Sequence, residues 1–214
     1  MIERLPYLVA FYFVLLFSLS VHEAAHAWVS NRKGDPTARL LGRITLNPVP
    51  HMDLLGTVIL PIAALLTGAP LFGWGKPVPV DARYLANPRR DFLWIAAAGP
   101  ISNLCLAALL AGIGRFFLPL FVFVPALAGS AAVVYDILRL SVILNCALAI
   151  FNLIPVFPLD GSSILRGMLP PRLVSGYDRF AQYGMFLLLF LFISGALRFV
   201  VIPVTVLAAW LLPQ

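Results

Sequence analysis

Apolar residues run through this chain in long blocks. They do not form the i, i+3, i+4 stripes of a surface helix or the alternation of a half-buried strand. A membrane-crossing helix needs about 20 predominantly apolar residues. Residues 5–28 reach that length, with His22, Glu23 and His26 in their last third. Residues 92–114 form a second block, interrupted by Gly99-Pro100. Residues 140–159 form a third, ending at Asp160, and residues 180–197 a fourth. Each predicts a crossing.

Three further stretches are uncharged or nearly so and admit two readings. Leu54–Gly75 carries Pro61, Pro70 and four glycines; Phe116–Tyr135 carries Pro119 and Pro125; Phe199–Leu212 is short and carries Pro203. Each either spans or enters and leaves by one face, which lipid tolerates only where protein shields the backbone. Charge helps with the first. The segments Asn31–Asp53 and Lys76–Asp91 each hold four Lys or Arg, so both are expected in the cytoplasm, and Leu54–Gly75 is expected to re-enter. The expected fold is an all-α polytopic membrane protein with about 4–6 transmembrane helices plus re-entrant segments. With no linker, repeat or polar domain, residues 1–214 are expected to form a single intramembrane domain.

Composition narrows the solvent. Hydrophobic residues make up 61% and charged residues 11%, the reverse of a soluble domain of this size. The net charge of +6 does not point to nucleic acid. Of the 15 basic residues, four lie in Asn31–Asp53, four in Lys76–Asp91 and three in Asp160–Arg179, the distribution of cytoplasmic loops. The first apolar run, Leu5 to Val21, is too long for a removed signal peptide and continues into the polar residues that follow. Cys105 and Cys146 stand in separate apolar runs and read as small packing residues.

His22-Glu23-Ala24-Ala25-His26 is the strongest chemical signal. On a helix, residues four apart share a face, so both imidazoles reach one metal ion. Glu23 stands one residue along, where it can act as general base on a metal-bound water. Ionisable groups at membrane depth are expensive and usually functional. Two histidines do not complete a catalytic site, which takes three protein ligands. His51 and Asp160 are both candidates, and Asp160 is preferred because it closes an apolar crossing. With one crossing between them, blocks one and three run parallel, and their C-terminal ends share a leaflet. His51 and Asp53 follow a polar loop and are expected to be structural residues at the interface.

The pairing of His-Glu-x-x-His with Asn152-Leu153-Ile154-Pro155-Val156-Phe157-Pro158-Leu159-Asp160-Gly161 resembles the site-2 protease family of intramembrane metalloproteases. Ala98-Gly99-Pro100 with Asn103 is similar to that family's central helix motif. Gly42-Arg43-Ile44-Thr45-Leu46-Asn47-Pro48 and Gly73-Trp74-Gly75-Lys76-Pro77-Val78-Pro79-Val80 are similar to its compact bacterial branch, without a PDZ or CBS domain. The resemblance implies one zinc ion per chain on His22, His26 and Asp160, with Glu23 as catalytic base. It implies substrate contacts from Asn152 and Asn103, although Asn103 also reads as a hydrogen bonder between helices. Short β-compatible runs flank Gly42, and the resemblance implies a small membrane-associated β-hairpin over Ala38–Leu46 that pairs with an extended substrate.

The expected function is therefore hydrolysis of peptide bonds in or near the transmembrane segments of partner membrane proteins. The active site would lie towards the cytoplasmic side of the cell (inner) membrane. Single-pass regulators such as anti-sigma factors, or remnant signal peptides, are substrates by family analogy alone. The competing reading is a zinc transporter or non-proteolytic scaffold on the same metal site. Glu23 argues against it, because pure binding needs no base beside the metal.

Overall fold

The computed structural model describes residues 5–67, 73–123 and 125–212. In chain order its α-helices are α1 (Leu5–Arg32), α2 (Thr37–Leu40), α3 (Leu60–Thr67), α4 (Pro88–Phe123), α5 (Pro125–Asn152), α6 (Asp160–Met168), α7 (Pro171–Ala181), α8 (Gly184–Ile193) and α9 (Arg198–Leu211). Among the described residues, three helices are long and apolar enough to cross a membrane, or four if the bent pair α8–α9 counts as one span.

Helices α1, α4 and α5 form the scaffold. His22 meets Asn103 and His26 meets Ile95, so α1 and α4 run antiparallel. Asn103 meets Asn145, and a Cβ on Gly114 would touch Leu138, so α5 runs back along α4 and parallel to α1. Small residues let the helices approach closely. Ala107 and Ala111 of α4, Val142 and Cys146 of α5, and Val204 and Ala208 of α9 make one buried cluster. Large apolar side chains such as Phe13, Phe117, Phe186 and Trp210 point outward, the arrangement lipid requires and water penalises.

The ambiguous stretches resolve differently. Leu54–Gly75 begins as a π-helical turn over Leu54–Ile59 and continues as α3; residues 68–72 lie outside the described residues. The Lys76 N–H donates to the His51 carbonyl at 2.8 Å, so the two ends of the stretch sit side by side. Asp53 caps the outward helix, accepting from the Leu55 and Gly56 N–H groups at 3.0 and 2.7 Å. The returning chain crosses the outgoing one at Gly73 and Gly56, where a Cβ on Gly73 would strike the Gly56 carbonyl. Phe116–Tyr135 adds no crossing, since it ends α4 and begins α5; residue 124 lies outside the described residues. At ~1.5 Å per residue, the 36 residues of α4 extend well past a hydrocarbon core of about 30 Å.

The three or four candidate spans among the described residues meet the lower end of the expected 4–6, because the fourth block is a 10-residue helix, α8, bent by 82° against α9. Gly195, at φ 71°, makes that break. The expected β-hairpin over Ala38–Leu46 is absent, and no strand occurs among the described residues. The segment holds α2 and a helix-ending turn. Gly42 takes φ 67°, and the Arg43 N–H donates back to the Ala38 carbonyl at 2.9 Å. The backbone that a hairpin would have paired is thus closed locally.

Candidate metal centre

Helix periodicity puts His22 and His26 on one face of α1, with the rings 4.6 Å apart between centroids. Each imidazole is held from behind. The His26 Nδ1–H donates to the Ile95 carbonyl at 2.6 Å. The His22 Nδ1–H donates to Asn103 Oδ1 at 2.6 Å. The Asn103 amide orientation is fixed because its Nδ2 donates to Asn145 Oδ1 at 2.8 Å and to the Ser18 carbonyl at 3.3 Å. The Asn145 Nδ2 in turn donates to Ser18 Oγ at 2.9 Å. A polar network therefore ties α1, α4 and α5 together behind the histidines, and it fixes the tautomer that leaves both Nε2 lone pairs facing forward.

The third group arrives from α5 by a tight loop. After Asn152 the chain turns through Val156 and Leu159, whose N–H groups donate to Ile154 and Val156 carbonyls at 2.8 and 2.9 Å. Asp160 then opens α6. Gly161 lies against the Leu153 and Ile154 backbone, with no room for a Cβ. Asp160 Oδ2 stands 3.1 Å from His22 Nε2 and 3.4 Å from His26 Nε2, and the two Nε2 atoms are 3.0 Å apart. Asp160 Oδ2 is buried without a hydrogen-bond donor.

Two imidazole nitrogens and a carboxylate oxygen thus converge on one point, an arrangement that a metal cation would satisfy. Tetrahedral zinc, with bonds of about 2.0–2.2 Å, separates its donors by about 3.3 Å, close to the triangle found here. The donor set of two histidines and one carboxylate fits a zinc ion with one open position. The edge of α4 is shaped to it: a Cβ on Gly99 would fall 2.6 Å from His22 Nε2 and would also strike His26 Nε2.

The site opens on a cavity of about 590 Å³. Glu23 and Asn152 line it beside the three candidate ligands, as does the returning segment from Gly73 to Val80. Glu23 is buried, with Gly75 close enough that a Cβ there would lie 3.3 Å from Glu23 Oε1. Asn152 donates its amide N–H to the Leu148 carbonyl at 2.9 Å within its own helix. Asn103 is fully buried behind His22 and does not line the cavity. His51 lies outside the metal cluster: its Nε2–H donates to the Thr45 carbonyl at 2.8 Å, and its own carbonyl anchors Lys76.

Three residues escaped the sequence reading. Ser18 and Asn145, polar groups inside apolar helices, carry the network behind His22, and their position at membrane depth was the available signal. Arg43 is buried, donates to the Lys76 and Pro77 carbonyls, and stands 4.0 Å from Glu23 Oε2. A loop arginine of a basic segment gives no hint of that from sequence.

The fold and site together define a helical protein with membrane-length apolar helices and a His, His, carboxylate cluster that could hold a metal ion. Residues 10–194 match peptidase family M50, and the chain belongs to that family, the site-2 protease family that its motif pair resembles. It is 36% identical over 204 residues to the Bacillus subtilis (strain 168) protein named "Putative zinc metalloprotease YwhC", covering 94% of this chain and 87% of that one. Proteins called Rip2, whose names carry the same description, are 29% identical in Mycolicibacterium smegmatis and 30% identical in Mycobacterium tuberculosis. Those two matches each cover 92% of this chain and 73% of the relative. No solved structure matches the chain.

Proposed function

We propose that this protein is an intramembrane zinc metalloendopeptidase that hydrolyses peptide bonds in or near the transmembrane segments of other membrane proteins. The observation that carries the reading is the donor triangle of His22, His26 and Asp160 with the Glu23 carboxylate in the same cavity. A zinc ion there, one per chain, would supply Lewis-acid polarisation of a carbonyl and a water acidic near neutral pH. Glu23 takes the proton of the attacking water and returns it to the leaving amine as the C–N bond breaks. Asn152 lies at the cavity wall, where its side-chain oxygen can hold a substrate N–H. The lipid-facing helices exclude bulk water, and the cavity, whose polar groups include Glu23, Asn152 and the three candidate ligands, admits the water that hydrolysis consumes. A substrate helix must unwind to enter, because its carbonyls are otherwise held in internal hydrogen bonds.

The reading places the chain as a single membrane domain in the cell (inner) membrane, with the site towards the cytoplasm, where the basic loops gather. A transporter or scaffold on the same metal site is disfavoured, since neither needs Glu23 facing the cavity. The test is Glu23→Gln in the full chain. It should retain about one zinc per chain, lose cleavage of a membrane-segment substrate, and trap that substrate for identification. Loss of zinc together with activity would show Glu23 to be a ligand and overturn its role as base.

A further inference from the structure

Helix α7 stands apart from the catalytic bundle and has the composition of a surface helix that the rest of the chain does not cover. Its apolar positions are Leu173, Val174, Tyr177, Phe180 and Ala181, spaced along one side. Only part of that side meets protein. Val174, Tyr177 and Ala181 are half-buried, and the Tyr177 hydroxyl donates to the Ser162 carbonyl of α6 at 3.0 Å. Asp178 is taken up by Arg166, with bonds of 2.7 and 2.9 Å. Leu173 and Phe180, seven residues apart and therefore in line, remain 51% and 59% exposed. Arg172 and Arg179 repeat the same spacing about a quarter-turn away, and among the described residues neither has an ion-pair partner. An exposed apolar edge flanked by two unpaired guanidinium groups is the pattern of a helix lying in the plane of a membrane interface.

Its place in the fold supplies the second argument. Helix α6, which holds α7, is itself clamped to the start of α4, where Arg89 donates to the Gly167 carbonyl at 3.3 Å and to the Leu169 carbonyl. That is the end of the bundle where the basic loops lie. Immediately after α7, helix α8 turns Phe186 and Phe190 outward to lipid, so the exposed edge of α7 continues onto a lipid-facing surface.

We propose that α7 lies in the headgroup layer of an anionic leaflet. Leu173 and Phe180 sit at the acyl boundary, and Arg172 and Arg179 engage lipid phosphates. Because Arg166–Asp178 and Tyr177–Ser162 couple α7 to α6, and α6 begins at Asp160, the leaflet becomes the surface against which the helix of the third candidate ligand is set. This inference rests on the membrane placement of the chain and not on its peptidase activity.

The test is hydrogen exchange of residues 171–183 in the intact chain, reconstituted in vesicles of phosphatidylcholine alone or of phosphatidylcholine with phosphatidylglycerol. Exchange should slow in the anionic vesicles, lose that protection at high salt, and lose about five-fold for each of Arg172→Gln and Arg179→Gln. A second measurement uses fluorescent probes on cysteines placed at Leu173 and Phe180, with Ser175 and Gln182 as controls. Lipid-borne quenchers should reach the first pair and aqueous iodide the second. Equal protection in neutral and anionic vesicles would overturn the phosphate assignment. Iodide access at all four positions would overturn the interfacial placement. Protection that grows with protein concentration in detergent would assign the face to a second copy of the chain instead.

Discussion

The Asn103 side chain accepts the Nδ1–H of His22 at 2.6 Å, joining α4 to α1 directly behind the candidate metal site. The polar residue of the central helix is thus hydrogen-bonded to a candidate ligand. Its other bonds, to Asn145 and Ser18, make that orientation a property of three helices at once.

Asn103→Leu should therefore act through the metal. Removing a partner behind a ligating histidine typically costs about 10–100-fold in metal affinity or activity. It also leaves Asn145 Oδ1 buried without its donor, at about 1–3 kcal/mol. Zinc titration against a competing chelator should show the weakened affinity. A raised KM at unchanged zinc affinity would instead make Asn103 a substrate contact.

Gly99→Ala should empty the site, because its methyl group would occupy the space beside His22 Nε2 and His26 Nε2. Gly112→Ala is the control in the same helix, since a Cβ there meets nothing within 4 Å. It should keep zinc and gain up to about 1 kcal/mol of helix stability. Zinc content and thermal unfolding of the two purified variants separate the effects. Full zinc occupancy in Gly99→Ala would show that α4 does not press on the imidazoles.

Asp160→Ala should lose both zinc and proteolysis, whereas His51→Ala should retain zinc with at most a partial loss of rate. The His51 ring is committed to the Thr45 carbonyl, and its removal loosens the loop and leaves the donor triangle intact. An occupied site in Asp160→Ala with an empty one in His51→Ala would reverse the assignment.

Cysteines introduced beside Arg39 and beside Arg83 should both be labelled from the cytoplasmic side only. The bond between Lys76 and His51 brings the two ends of Leu54–Gly75 to one face. Labelling of the Arg83 position from the opposite side would mean that this stretch crosses.

Much of the protein is legible in the order of its residues. The long apolar blocks identify a membrane solvent, since no soluble fold of this size hides that much apolar surface. The spacing of His22, Glu23 and His26 places two donors on one helix face because helical geometry is local. Asp160 is reachable from sequence through the parity of the crossings. What depends on neighbours distant in the chain is not legible. Flanking charge predicts that Leu54–Gly75 returns, but how its two ends meet rests on one inter-segment bond and on a glycine crossing with no local pattern. In place of the hairpin expected at Ala38–Leu46 stands a C-terminal helix turn, closed through Gly42 and the Ala38 carbonyl. Ser18 and Asn145 stand as isolated polar residues in apolar runs, and Asn103 carries two readings in the sequence, as a substrate contact and as a hydrogen bonder between helices. Only helix packing decides that they meet, and their meeting selects the histidine tautomer on which metal binding depends.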